Sequence, residues 1–216
     1  MRMKRNTFNL IISFALIVGF AFITFLFIYR NNQSQSLPIS LSDFSTSEET
    51  EEYAVYSALL EKLFVKDDVK LLVIRKQTLF SINNYFIRTA VEESFSDMKK
   101  LFSSVSEDAF RDYRIKNQYP SILSSKFILS VKYVFTDEFE FNKDKDAAWI
   151  ASFFEKYPDA RGIIQLSKIG FNKDRTEAFV FAEFICSPLC SGGNNILLEK
   201  NSGVWKVKEK FEGWKS

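Results

Sequence analysis

The first hydrophobic segment of the chain runs from Leu10 to Tyr29, and only Ser13, Gly19 and Thr24 interrupt it. A helix of this length rises about 30 Å, the thickness of the hydrocarbon core of a bilayer. The pattern therefore predicts a single membrane-spanning helix within residues 8–30.

Positive charge is distributed unevenly around this segment. Arg2, Lys4 and Arg5 precede it, whereas Arg30 alone follows it before a polar stretch. The positive-inside rule then predicts a cytoplasmic tail at residues 1–7, a signal-anchor helix at 8–30 and all later residues outside, as in a single-pass protein of the inner membrane. A cleaved signal peptide is the alternative, but its apolar region is usually only about 7 to 15 residues long and ends at an A-x-A site, which is missing here.

Residues 31–46 are mostly Ser, Asn, Gln, Pro and Asp, so we predict a flexible stalk. Residues 47–216 then form one extracytoplasmic α+β domain. Thr46 and Glu49 have the spacing of a capping box, and apolar residues recur at helical intervals after them, which predicts a helix from about Ser47 to Val65.

The middle of the chain mixes both periodicities. Apolar runs at 70–76 and 129–136 predict strands. Residues 92–105 and 107–116 have helical patterns, with Ser106 as the cap of the second helix, and Asp146 is placed to cap a further helix.

From Gly162 onward the pattern changes to alternating strands at 162–171, 176–186, 195–200 and 204–211, with polar turns between them. In the last strand Trp205, Val207 and Phe211 should share one face. These strands predict a C-terminal antiparallel β-meander with helices packed on its apolar face, after the N-terminal transmembrane helix.

Composition narrows the choice of function. The chain has 24 Phe and no His, so we expect an aromatic core and no histidine-dependent hydrolase or metalloprotease. Residues 1–30 hold four of the 29 Lys and Arg and no acid, which leaves 25 against 27 Asp and Glu, a net charge of −2 for the rest. Nucleic acid is therefore not an expected partner.

Cys186 and Cys190 are the only cysteines. Outside the cytoplasm thiols are usually oxidised, so we predict a disulfide that staples the short loop between them. A redox role is the alternative, but C-x-x-x-C is not the C-x-x-C arrangement of redox motifs, and it follows a strand.

Other candidate motifs favour ordinary structural readings. The acidic residues between Asp137 and Asp146 lack the spacing of a calcium loop, so no metal site and no cofactor is expected. The glycine-rich stretch 191–195 precedes a strand instead of a helix, which indicates a long hairpin loop. Around it, Trp205, Trp214, Asn194 and Asn195 are the candidate ligand or partner surface, although the two tryptophans are more typical of a core.

Two segments carry a family resemblance, the hairpin Gly170–Ala178 (GFNKDRTEA) and the strand Gly203–Val207 (GVWKV). They resemble the C-terminal part of uncharacterised bacterial exported domains, which share a GFNxDxTxA hairpin and a GxWxV strand. That family implies no activity. The closing hairpin, Leu198–Val207, is also similar to the last strands of nuclear-transport-factor-two-like domains, a resemblance that implies a cone-shaped α+β fold with a ligand pocket.

These observations favour a membrane-tethered binding or interaction module that recognises a partner protein or a small apolar ligand. The alternative is a hydrolase that uses carboxylates. An enzyme should have a cleft in which two carboxylates of unlike acidity face each other, whereas a module should have a surface patch or an apolar cavity.

Overall fold

The computed structural model describes residues 41–81, 87–88, 95–137, 146–187 and 189–216 of the chain. The chain divides into two compact units, Met1–Ser47 and Glu48–Ser216. The predicted tail, the predicted membrane helix and residues 31–40 of the predicted stalk lie outside the described residues. Within the described part of the chain, no helix combines the length and apolar character needed to cross a bilayer.

The described elements confirm the α+β class. In chain order they are α1 (Leu41–Leu63), β1 (Leu71–Arg75), α2 (Phe95–Leu101), α3 (Glu107–Lys116), β2 (Lys132–Thr136), α4 (Asp146–Lys156), β3 (Ala160–Leu166), β4 (Gly170–Phe171), β5 (Glu177–Ile185), β6 (Gly192–Asn201) and β7 (Val204–Lys215).

The start of α3 agrees with the sequence pattern, whereas the start of α1 does not. Ser106 caps α3 as predicted, because its hydroxyl accepts a hydrogen bond from the Ala109 N–H at 3.3 Å. In contrast, α1 begins at Leu41 and not at Ser47, so Thr46 lies within the helix and is not its cap. A capping box is a local signal, and it does not prevent the residues before it from continuing the helix.

The strands form one mixed sheet in the order β2-β1-β3-β5-β6-β7, with β4 paired to β5. The hairpins β5–β6 and β6–β7 are antiparallel, as the predicted meander requires. However, β1 pairs in parallel with both β2 and β3, so the sheet is mixed and extends beyond the predicted antiparallel meander. The connections from β1 to β2 and from β2 to β3 contain helices, and such long crossovers allow parallel pairing.

Both faces of the sheet are covered. On one face α1 packs against side chains such as Leu72, Ile164 and Val180. On the other face α3 packs against Phe179 and Phe181 of β5, and α4 packs against residues of β1 and β3. Both faces of β5 are therefore buried, which agrees with its nearly continuous apolar sequence.

A bulge changes the faces of β7. The register between β6 and β7 shifts between Leu197 and Leu198. Trp205 consequently packs on the α1 side, whereas Phe211 packs on the opposite side, 4.4 Å from the Phe102 ring between centroids. The prediction of a shared face for Trp205 and Phe211 was wrong because one extra residue in a strand reverses the alternation after it.

The predicted hairpin loop at 191–195 is also shorter than expected, since β6 begins at Gly192. A Cβ atom at Gly193 would overlap the Trp214 indole and the Phe181 ring. Glycine in this strand thus allows two large rings to approach the backbone, which a turn-like composition conceals.

Candidate functional site

The cysteine pair lies just after β5. The sulfur atoms of Cys186 and Cys190 are at disulfide-bonding distance, and their Cα atoms are 5.8 Å apart. The Ser191 hydroxyl donates to the Ser187 carbonyl at 2.7 Å and accepts from the Cys186 N–H at 3.4 Å. The predicted pairing is confirmed, and the pair closes a hydrogen-bonded turn.

The four residues of the predicted ligand or partner surface are distributed over both faces of the sheet. Trp205 is 5% exposed, and its indole N–H donates to the Glu51 carboxylate. Trp214 is partly buried and packs against the core cluster on the opposite face. Asn194 and Asn195 are neighbours in β6, so their side chains point to different faces. Their contact with a ligand stays a prediction, but the fold does not bring the four into one patch.

The three parallel strands create an edge at which functional groups can converge. β1, β2 and β3 run in the same direction, so their carboxyl ends lie together. The chain continues from β1 to β2 on one side of β1 and returns at β3 on its other side. Such a change of direction opens a crevice beyond the carboxyl ends of parallel strands, where α/β sheets generally bind ligands.

Two cavities occupy this edge. The larger has a volume of about 650 Å³ and is lined by residues that include Lys76 after β1, Asp137 after β2 and Tyr157 after α4. The smaller has a volume of about 320 Å³ and is lined by residues that include Thr78 after β1 and Lys168 after β3. Both volumes lie in the usual range for ligand pockets, roughly 300 to 1,000 Å³.

The segment Ile122–Ser124 lines both cavities and separates them. It is held in place by backbone hydrogen bonds: the Leu123 N–H donates to the Lys76 carbonyl at 2.9 Å, and the Thr78 N–H donates to the Ser121 carbonyl at 2.9 Å. The wall between the cavities is thus attached directly to the chain that leaves β1.

Charged side chains surround the smaller cavity. The Lys116 ammonium at the end of α3 lies 3.0 Å from Asp112, 3.3 Å from Glu48 and 3.8 Å from Glu52. Glu48 is also 2.7 Å from the Arg175 guanidinium. Lys116 therefore has three carboxylate partners, while Glu48 has two cationic partners.

Glu48 and Glu52 of α1 differ in acidity because their burial and their charged neighbours differ. Burial raises the pKa of Glu52, and the Glu48 carboxylate raises it further against the opposing effect of Lys116. Burial acts in the same direction on Glu48, but the hydrogen bond from Arg175 and the charge of Lys116 outweigh it and lower the pKa of Glu48. Glu52 lines the 320 Å³ cavity, whereas Glu48 lines a different surface pocket beside Arg175, so they do not face each other across one cleft.

A buried amide fixes the position of Lys168. The Asn117 side chain is fully buried, and its Nδ2 donates to the carbonyls of Tyr113 at 2.8 Å and Lys168 at 3.1 Å. Its Oδ1 accepts from the Lys168 N–H at 2.9 Å. This Asn117 clamp ties the end of α3 to the segment that follows β3.

The acidic segment around Asp137 has few described residues, because 138–145 lie outside the described part. Within the described ranges, no group of three or more His, Cys, Asp or Glu residues is arranged to hold a metal ion.

Sequence reasoning did not find the residues that line the two cavities. Lys76, Thr78 and Lys168 each come soon after a strand, and that position is a usable signal only for parallel strands. The antiparallel meander that we expected gave no reason to group them.

No protein-family model, curated protein or solved structure matches the chain. The resemblance to uncharacterised exported domains stays an expectation based on the hairpin residues. Function is therefore inferred from the two cavities at the carboxyl edge of β1, β2 and β3.

Proposed function

We propose that the chain is a membrane-anchored binding module whose domain outside the cytoplasm takes a small polar ligand at the carboxyl edge of its parallel strands. The observation that carries this proposal is the pair of cavities that share Ile122–Ser124 at this edge. Membrane attachment is proposed from the apolar segment at residues 8–30, and the orientation from its flanking charges.

Two partners were expected from the sequence, a protein or a small apolar ligand, and the chemistry of the cavity walls favours a polar ligand over an apolar one. Lys76, Asp137 and Lys156 line the larger cavity, and Glu52 and Lys168 line the smaller one. An apolar ligand would displace water from these groups without replacing its hydrogen bonds, which costs free energy. A polar ligand can replace the lost hydration with hydrogen bonds.

A carboxylate-dependent hydrolase remains the second candidate, because the acidities of Glu48 and Glu52 differ. The position of these glutamates in separate pockets gives it less support than the binding module. In a hydrolase, Glu52 would be the general acid, and Glu52→Gln would abolish turnover without weakening substrate binding.

Ligand binding can be tested on the full-length chain in detergent with a panel of small polar molecules. A compound present at 100 times its dissociation constant should raise the free energy of unfolding by about 2.7 kcal/mol. It should also slow amide hydrogen exchange in Ile122–Ser124. Ser124 lines both cavities, so the larger side chain of Ser124→Trp should fill them and abolish both effects. The control Lys208→Trp, at an exposed position of β7, should preserve them. Protection elsewhere in the domain, or an unchanged response in Ser124→Trp, would overturn the proposed site.

Anchoring and orientation need a separate experiment. A reporter that is active only outside the cytoplasm, fused after Ser216, should be active, and the fusion should stay in the membrane fraction after alkaline washing. A cytoplasm-only reporter that is active at the same position would contradict the orientation, and a soluble product that starts after residue 30 would contradict the anchor.

A further inference from the structure

Two hydroxyl groups in the smaller cavity have a proton that no described acceptor uses. Thr78 is 1% exposed, and its Oγ1 accepts from the Ser121 N–H at 2.8 Å. Tyr53 is 7% exposed, and its phenol oxygen accepts from the Ser124 N–H. A hydroxyl can donate one hydrogen bond in addition to those it accepts. Within the described ranges neither of these hydroxyls does so, although both line the cavity.

Lys168 adds a positive charge to the same wall. Lys116, the other lysine that lines this cavity, has an acidic partner, since its ammonium lies 3.3 Å from Glu48. The Lys168 ammonium, by contrast, forms no ion pair with any residue that the structure describes. Burial lowers the pKa of Lys168, the nearby Glu52 carboxylate raises it in part, and the charge of Lys116 lowers it again. A positive charge that is partly desolvated and held in no direct ion pair favours the binding of an anion.

The backbone of Lys168 is held in place beside the cavity. The Asn117 clamp holds both the N–H and the carbonyl of Lys168, so the side chain starts from a fixed point beside the cavity. Holding the backbone lowers the conformational freedom that Lys168 loses when a ligand binds.

We propose that the 320 Å³ cavity binds the oxyanion group of a small ligand, with the Lys168 ammonium as its counter-ion and the Thr78 and Tyr53 hydroxyls as additional donors. This inference rests on the proposed function and names its ligand class. A carboxylate and a phosphate share the required chemistry, since each accepts several charge-assisted hydrogen bonds. The rings and aliphatic side chains of Tyr56, Ile122 and Leu123 would contact the rest of the ligand.

The probes for the test are benzoate and inorganic phosphate, titrated into the full-length chain at constant ionic strength. Benzamide and choline are the neutral and cationic comparison probes. We expect at least one anion to raise the melting temperature and protect the amides of Ile122–Ser124, with no effect from benzamide or choline. Benzoate alone would identify a carboxylate site, and phosphate alone a phosphate site.

The variant Lys168→Met removes the charge and keeps the aliphatic stem. It should weaken anion binding by about 10- to 100-fold, the range expected for a hydrogen bond to a charged group. Lys168→Arg should restore most of the affinity, and Lys206→Met, an exposed lysine of β7, should leave it unchanged. Thr78→Val tests the second donor and should weaken binding about tenfold by the same reasoning. The melting temperature of each ligand-free variant shows whether it is folded.

The outcomes separate the two proposals. If benzamide or choline protects Ile122–Ser124 as well as the anions do, and Lys168→Met binds anions normally, the oxyanion site is wrong and the binding module stands. If Ser124→Trp abolishes binding of a polar compound but no anion binds, the oxyanion site is also wrong and the binding module is again supported. If no probe and no compound of the panel protects this segment, both proposals fail.

Discussion

The Asn117 clamp offers the sharpest test of how the fold positions the candidate site. Asn117→Ala removes three hydrogen bonds, two to Lys168 and one to the Tyr113 carbonyl. The backbone N–H of residue 117 still donates to Tyr113, so the end of α3 keeps its main-chain cap. At about 1 kcal/mol for each net hydrogen bond, the free energy of unfolding should fall by about 3 kcal/mol.

The variant Asn117→Asp examines the same clamp through its pH dependence. The carboxylate can still accept from the Lys168 N–H, but its second oxygen faces two carbonyl oxygens. Burial and these carbonyls should raise the pKa of the new carboxyl above its unfolded value of about 3.9. The stability of Asn117→Asp relative to the natural protein is then highest below that value, and it is lost as the pH rises through the folded pKa.

Urea denaturation of the full-length chain, followed by the fluorescence of its three tryptophans, measures both effects. The matched control is Asn201→Ala, because Asn201 is exposed and donates to Glu199 at 2.8 Å on the surface. This control should change stability by less than about 0.5 kcal/mol. A cost below about 1 kcal/mol for Asn117→Ala, or a pH-independent Asn117→Asp, would refute the clamp as a structural determinant.

Three further predictions concern the rest of the domain. Gly170→Ala should lower the free energy of unfolding by about 1 to 3 kcal/mol in the same urea assay, because the new methyl group overlaps the backbone of α3 at Ala109 and Tyr113. An unchanged midpoint of urea denaturation would show that α3 can move away from the new methyl group. Glu52→Gln should stabilise the domain at pH 7 and have little effect below pH 4.5. The pKa of Glu52 is raised in the folded state, so the stabilising contribution of this carboxyl is present at low pH and is lost as the pH rises through the folded pKa. A loss of stability in Glu52→Gln at pH 7 would contradict this prediction. Replacing both Cys186 and Cys190 by Ser should cost about 2 kcal/mol through the unfolded state. For the cysteines, the intact mass should also rise by two hydrogens on reduction, and free thiols in freshly isolated protein would disprove the bond.

Local patterns in the sequence determined the elements whose stabilising contacts are short-range. Ser106 caps α3 because the cap and its partner, Ala109, are only a few residues apart. The alternation in β5 was readable because every second side chain must point to the same face. The pairing of Cys186 with Cys190 followed from their being the only two cysteines in the chain.

The tertiary structure alone decided which strands are neighbours and therefore where the cavities are. The parallel pairing of β1 with β2 and β3 joins segments that are far apart in the chain, and no local pattern records it. Likewise, the bulge beside Leu197 is a relation between two strands, and it moves Phe211 to the face opposite Trp205.

The candidate site is a consequence of that pairing. Thr78 and Lys168 are separated by most of the domain in sequence, and they line one cavity because the ends of β1 and β3 lie side by side. The acidity of Glu52 depends in the same way on burial and on Lys116, which only the folded chain places beside it. The sequence determined the chemical types of these side chains, and long-range packing decided which of them meet.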